Sequence, residues 1–226
     1  MQAEQHLTAQ LGIFGFAHLP DCATDLLDEM SEGFSRVIGL PDDARPQERV
    51  TARGVLDEIP ALRELVGRAP VLTACKAGLG PEAHVITSDA NLLVGDSYWH
   101  SDGFYSTPFL RFVVYLEPLT ADNGALRFLP GSHRADNGWE GEPTRDVMQH
   151  AEQLGVSGAE LPAAVVDSRP GDVIVFDTNV LHAAWCGGFR RQLGFNVVGR
   201  PVTVRARNDT ARYFLNRYVS GSVLLT

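Results

Sequence analysis

Hydrophobic and polar positions change their period once along this chain, near residue 83. Before that point the spacing is helical. Leu26, Leu27, Met30, Phe34, Val37 and Ile38 recur at three- and four-residue intervals and mark one buried face. Thr24 or Asp21 is placed to cap that helix, and Gly39 and Pro41 end it. Glu58 to Arg68 repeats the pattern with Leu62, Leu65 and Val66, and Pro70 to Ala77 supplies another turn or two, broken by Gly78, Gly80 and Pro81. Ahead of these, a short helical turn leads into a β-prone run from Ile13 to Leu19, stopped by Pro20-Asp21. Residues 41–54 carry two prolines and little apolar content, and read as a loop.

From residue 83 the segments are short, β-prone and divided by turns. Ala83 to Val94 reads as a strand that places Thr87, Asp89 and Asn91 on one face. Leu110 to Leu116, Ala125 to Leu129, Ala163 to Val166, Val173 to Phe176 and Phe189 to Val198 follow, and Val202 to Val204 extends the series. Residues 134–160 are polar with little periodicity, which suits a mobile loop or lid holding a short helix near 146–154. Residues 208–219 mix polar and aromatic positions, as a C-terminal helix or tail does. Helical patterns do not alternate with the strands after residue 83, so a parallel βαβ fold is excluded. The fold class is mainly β with flanking α: a sandwich or barrel with N-terminal helices packed outside.

Composition narrows the function. The 226 residues, 44% of them hydrophobic, suit one compact domain, divided into a helical part (1–82), a β core (83–204) and a C-terminal tail (205–226). A net charge of -9 argues against a nucleic-acid partner, because phosphate binding needs clustered cations. Three widely spaced cysteines form no CxxC pair and point to a reducing compartment. With neither a signal-peptide pattern nor an apolar run of membrane-spanning length, a cytoplasmic protein without a membrane partner is expected.

The chemistry gathers at Tyr98-Trp99-His100-Ser101-Asp102-Gly103. In extended chain, His100 and Asp102 project to one face and can meet at one point. His182, at the end of the strand that follows Pro170-Gly171-Asp172, supplies a third ligand. Two histidines and one carboxylate form the facial triad of non-haem Fe(II) oxygenases, and the lack of thiolate ligands disfavours structural zinc. Arg190, eight residues past His182, can pair bidentately with a carboxylate. No Gly-x-Ser-x-Gly elbow and no Gly-rich phosphate loop is present.

His100-Ser101-Asp102, Asn123 to Leu126, Pro130 to His133, Gly171-Asp172, Phe176, His182 and Gly188-Phe189-Arg190 in this order resemble the phytanoyl-CoA dioxygenase family of Fe(II)/2-oxoglutarate oxygenases. Ser97 to Asp102 is also similar to the ectoine-hydroxylase-like members. The resemblance covers roughly residues 83–200 and implies a cupin-like double-stranded β-helix, or jelly-roll. It implies Fe(II) on His100, Asp102 and His182, with 2-oxoglutarate and O2 as cosubstrates. It places the distal carboxylate of 2-oxoglutarate on Arg190 and puts Asn91 beside the cosubstrate. Arg191 competes for the anchor role, but neighbours on a strand face opposite ways, and Gly188-Phe189-Arg190 matches the family pattern. Ala183-Ala184 stands where relatives often carry Gly-Ser. Thr87, Asp89, Tyr105 and Trp139 are the candidate substrate contacts.

The implied activity is hydroxylation of a small, polar or cationic metabolite with release of succinate and CO2. Desaturation or cyclisation is an alternative outcome, and halogenation is disfavoured because Asp102 is retained. A cupin-like metalloenzyme without 2-oxoglutarate and a barrel that only binds are the competing readings.

Overall fold

The computed structural model describes residues 2–40, 46–103, 107–134 and 155–219, with side chains to residue 215. The helices are α1 (Gln2–Ile13), α2 (Leu27–Ile38), α3 (Pro60–Val66), α4 (Ala69–Leu79) and α5 (Val204–Val219). The strands are β1 (Phe16–Leu19), β2 (Val50–Arg53), β3 (Ala83–Val94), β4 (Ser97–His100), β5 (Phe109–Tyr115), β6 (Leu126–Phe128), β7 (Ala164–Val166), β8 (Val173–Asp177), β9 (His182–Ala184) and β10 (Phe189–Gly199). They form two antiparallel sheets, ordered β1-β8-β5-β10-β3-β2 and β4-β9-β6-β7. The protein is thus mainly β with a few helices.

Burial explains the arrangement. The outer face of the six-stranded sheet carries Leu92, Phe112, Val114, Val175, Leu193 and Phe195, which share one core with Met30, Phe34, Leu62, Leu65 and Val71 of the helices. Phe112 and Phe195 stack there, with ring centroids 4.9 Å apart. Each such side chain contributes about 1.5–3 kcal/mol by leaving water. The inner face meets the four-stranded sheet through Val113, Ile174 and Phe176 against Leu126, Phe128 and Val166. Strand β5 is therefore buried on both faces, which is why its sequence is a nearly continuous apolar run. No helix among the described residues is long and apolar enough to cross a membrane.

Several elements differ from the sequence reading. α1 runs to Ile13, and Gly15, at φ +86°, separates it from a shorter β1. A 3-10 turn, Thr24–Leu26, precedes α2 without a side-chain cap, while Gly39 ends α2 in the left-handed conformation. Val50–Arg53, read as loop, is an edge strand paired with β3, and β1 takes the opposite edge of that sheet. The β core therefore draws two strands from the part of the chain before residue 83. Val202 and Thr203 lie in no strand, and α5 starts at Val204.

Asp177, at the end of β8, yields a pH prediction. Its carboxylate accepts a bond from the Asn179 N–H, 2.8 Å, yet burial pushes its pKa up to about 6 from an ordinary 3.8. Between about pH 4 and 6 the folded chain holds a proton that the unfolded chain has released. Stability thus falls as pH rises through that window and stays reduced above it. Asp177→Asn is expected to raise stability by about 1–2 kcal/mol at pH 7.5 and to leave it unchanged at pH 4, read by thermal melts at both values.

Candidate active site

The triad comes from the four-stranded sheet. β4 and β9 pair antiparallel, and His100 stands directly opposite His182. Their rings lie 4.3 Å apart, centroid to centroid. Asp102 follows β4 by two residues and is fixed by its backbone N–H, which donates to the Thr178 carbonyl, 2.9 Å. One ligand atom from each of His100, Asp102 and His182 lies within 4.8 Å of the others.

Each imidazole is oriented by the carbonyl two residues before it in the chain. His100 Nδ1 donates to the Tyr98 carbonyl, 2.7 Å, and His182 Nδ1 donates to the Val180 carbonyl, 3.0 Å. Those bonds place the proton on Nδ1 and leave the Nε2 lone pair of each ring for a cation. Burial first, and then the neighbouring His100, push the pKa of His182 down to about 3, although the Asp102 carboxylate opposes the shift. His182 is therefore neutral at physiological pH, the form that ligates a metal. Two imidazoles and one carboxylate converging without thiolates fit Fe(II).

Facing the triad across the cavity is the inner face of the six-stranded sheet. The lining includes Arg49, Leu93, Arg111, Tyr115, Phe176, Arg190 and Gln192 from that side. Arg190 is 2% exposed. Its Nη1 donates to the Gly124 carbonyl, 2.9 Å, and its Nη2 to the Gly95 carbonyl, 2.7 Å. Its Nε is buried without an acceptor among the described residues. A buried guanidinium N–H left unpaired is costly, and a carboxylate entering the cavity would satisfy it. Tyr115 adds a second donor: its hydroxyl accepts from Gln192 Nε2, 2.8 Å, so its own proton is directed elsewhere. Burial raises the pKa of this phenol and keeps it protonated.

The next residue faces the other way. Arg191 pairs with Glu117, 2.5 Å, donates to Ser31 Oγ, 2.9 Å, and lies over the Phe34 ring on the helical side. The strand therefore brings Arg190, not Arg191, into the cavity.

Gly124 makes the seat for Arg190. It sits at φ +102°, and a Cβ there would come within 2.4 Å of Arg190 Nη1. Gly124→Ala is expected to destabilise the fold by about 2–4 kcal/mol, from the left-handed backbone together with displacement of the guanidinium. Chemical denaturation of the metal-free protein measures this.

Not every sequence candidate reaches the cavity. Thr87, Asp89 and Asn91 share the inner face as expected, but all are nearly fully buried and lie beneath the lining. Thr87 Oγ1 accepts from Asn196 Nδ2, 2.6 Å. Asp89 is held by Arg111, and Asn91 accepts bonds from Arg49 and Thr51 and donates to Asp89. These three form a polar floor. Tyr105 and Trp139 lie outside the described residues. Sequence reasoning missed Arg49, Arg111, Tyr115 and Gln192. The available signal was Arg111 itself, a charge set inside the apolar run of β5.

The sequence profile of the phytanoyl-CoA dioxygenase (PhyH) family matches residues 15–186, a span that takes in all three triad residues. The chain belongs to that family. Among curated PhyH-like relatives, the ectoine dioxygenase of Bordetella bronchiseptica is 29% identical over 148 residues, 55% of this chain and 48% of that protein. The ectoine dioxygenase of Sphingopyxis alaskensis is 28% identical over the same shares. The chain thus spans about half the length of the curated relatives it matches. In three dimensions, the epimerase SnoN, solved with Fe3+, alpha ketoglutarate and nogalamycin RO, superposes with TM-score 0.68 at 17% identity, covering 88% of this chain and 85% of its own. EctD from S. alaskensis in its apoform gives 0.64 at 19% identity, covering 86% and 76%. HygX from Streptomyces hygroscopicus, with nickel and 2-oxoglutarate bound, gives 0.66 at 14% identity, covering 88% and 87%. At such identities these structures establish a shared fold.

Proposed function

We propose that the chain is an Fe(II)/2-oxoglutarate-dependent dioxygenase that hydroxylates a small-molecule metabolite and releases succinate and CO2. Its two sheets then form the double-stranded β-helix of that enzyme class. The observation that carries this reading is one cavity holding a three-ligand His-Asp-His cluster and, opposite it, a buried arginine with an unpaired N–H. Fe(II) bound to the triad, with 2-oxoglutarate and O2, supplies the oxidation. The protein's part is to orient. His100, Asp102 and His182 occupy one face of the ion and leave the other for cosubstrates. Arg190 and Tyr115 receive the distal carboxylate of 2-oxoglutarate, and Phe176 and Leu126 exclude water from the reaction zone. Asp102 fills the position that halogenating relatives leave open.

The lining also bears on the substrate. Among the described residues, three arginines and one carboxylate, Asp102, line the cavity, which favours a neutral or anionic substrate over the cationic one suggested by the acidic surface. Ectoine is not carried over as substrate from relatives matched over half their length. The same residues serve hydroxylation, desaturation or cyclisation, since the outcome depends on how the substrate is held. Cys22, Cys75 and Cys186 are free thiols, which supports a cytoplasmic setting.

Anaerobic addition of Fe(II) and then 2-oxoglutarate tests the proposal. A weak visible charge-transfer band that needs both is expected. A band absent at saturating concentrations of both would favour a cupin-like metalloenzyme without the cosubstrate. Succinate release across a metabolite panel then finds the substrate.

A further inference from the structure

Beneath the triad lies a buried ion-pair chain that the family resemblance does not assign. Arg111 of β5 points into the barrel and splits its guanidinium between two carboxylates. Nη1 and Nη2 donate to Asp89 Oδ2 and Oδ1, at 3.0 and 2.7 Å. The remaining nitrogen, Nε, lies 3.9 Å from Asp102 Oδ2. The side chains of Arg111, Asp89 and Asp102 are 6%, 9% and 15% exposed, so water screens these charges little. Asp89 is itself held by Asn91 Nδ2, 2.5 Å, and Gln192 Oε1 accepts from Arg111 Nη2, 3.2 Å.

The backbone makes room for this arrangement. Gly194 sits between Asp89 and Val113 in the sheet, and a Cβ there would approach Arg111 Nη2 to 3.0 Å. The bidentate grip of Asp89 fixes the plane of the guanidinium, and the fork geometry then fixes where Nε points. Nε is thereby held 3.9 Å from the carboxylate of the triad, within ion-pair reach.

We propose that Arg111, locked by Asp89, is a positioning residue for the metal ligand Asp102. The inference rests on the reading of His100, Asp102 and His182 as a metal site. Arg111 attracts Asp102 Oδ2 by charge across 3.9 Å, so that Asp102 would turn its other oxygen to a metal ion and bind it through that oxygen alone. Without that restraint the carboxylate turns and engages the ion with both oxygens, taking a position the cosubstrate needs. Asp89 then serves as the clamp on Arg111, in place of the substrate contact its position in the sequence suggested.

Co(II) binding to the full chain tests this, because cobalt d–d absorption reports ligand number and geometry apart from turnover. Arg111→Lys keeps a cation beside Asp89 but loses the fork. It is expected to change the d–d spectrum of the bound Co(II) and to weaken 2-oxoglutarate at that site about 10- to 100-fold. The charge-neutral pair Asp89→Asn/Arg111→Met removes the chain without stranding a buried charge, and is expected to fold and show the same defect. If the Co(II) spectrum of R111K is that of the wild type, the proposal is overturned, whether or not the double variant folds. If the wild type itself binds no Co(II), the metal reading fails instead, so the two failures are distinguishable.

Discussion

A His182→Ala protein is expected to bind Fe(II) roughly a thousandfold more weakly than the parent, a loss of about 4 kcal/mol, and to show no charge-transfer band with 2-oxoglutarate. The size of the effect follows from how the site is built. His182 is 5% exposed, faces His100 across the β4–β9 pair, and is held neutral by burial. Its Nδ1 is already engaged by the Val180 carbonyl, so Nε2 is committed to the ion and nothing else described in the cavity replaces it. Two ligands remain in the variant, and two cannot hold an open-sided octahedral ion against water. Isothermal titration under anaerobic conditions measures the affinity, and circular dichroism confirms that the strands persist. Wild-type affinity in this variant would remove His182 from the metal site and, with it, the proposed chemistry.

The second large effect separates two neighbours. Arg190→Leu is expected to weaken 2-oxoglutarate about 100-fold or more, since truncating one partner of a buried charge pair costs roughly 2–5 kcal/mol. Arg191→Leu is expected to leave that affinity within about twofold. The contrast follows from strand geometry: Arg190 enters the cavity between the Gly95 and Gly124 carbonyls, while Arg191 pairs with Glu117 over the helices. Loss of the partly exposed Arg191–Glu117 pair costs stability of about 0.5–1 kcal/mol. Titration of the charge-transfer band with 2-oxoglutarate reads both variants side by side. Equal losses in the two, or a larger loss at Arg191, would move the anchor away from Arg190.

Much of this architecture was legible in the chain. β3 was bounded correctly because its polar residues alternate, and the triad because an i, i+2 pair needs a third partner. Strand alternation said that only one of Arg190 and Arg191 enters the cavity, and the match of Gly188-Phe189-Arg190 to the family pattern chose Arg190. What could not be read was the company each polar residue keeps. Asp89 looked like a substrate contact because polar inward residues on a strand are unusual, but its partner, Arg111, lies 22 positions away on a strand two places over in the sheet. Arg49 was invisible because residues 41–54 lack apolar content, and an edge strand such as β2 is held by its ladder with β3 rather than by its own pattern. The helix–strand boundary near Ile13 failed for another reason. Short apolar runs suit either state, and only the left-handed Gly15 decides between them.

The two histidines take their orientation from carbonyls two residues behind them in the chain. The imidazole geometry is thereby encoded locally in and just before the strands of the four-stranded sheet, while the polar floor and the facing wall of the cavity belong to the other sheet. Such a division lets a lineage rewrite what it recognises without disturbing the imidazoles that grip the ion.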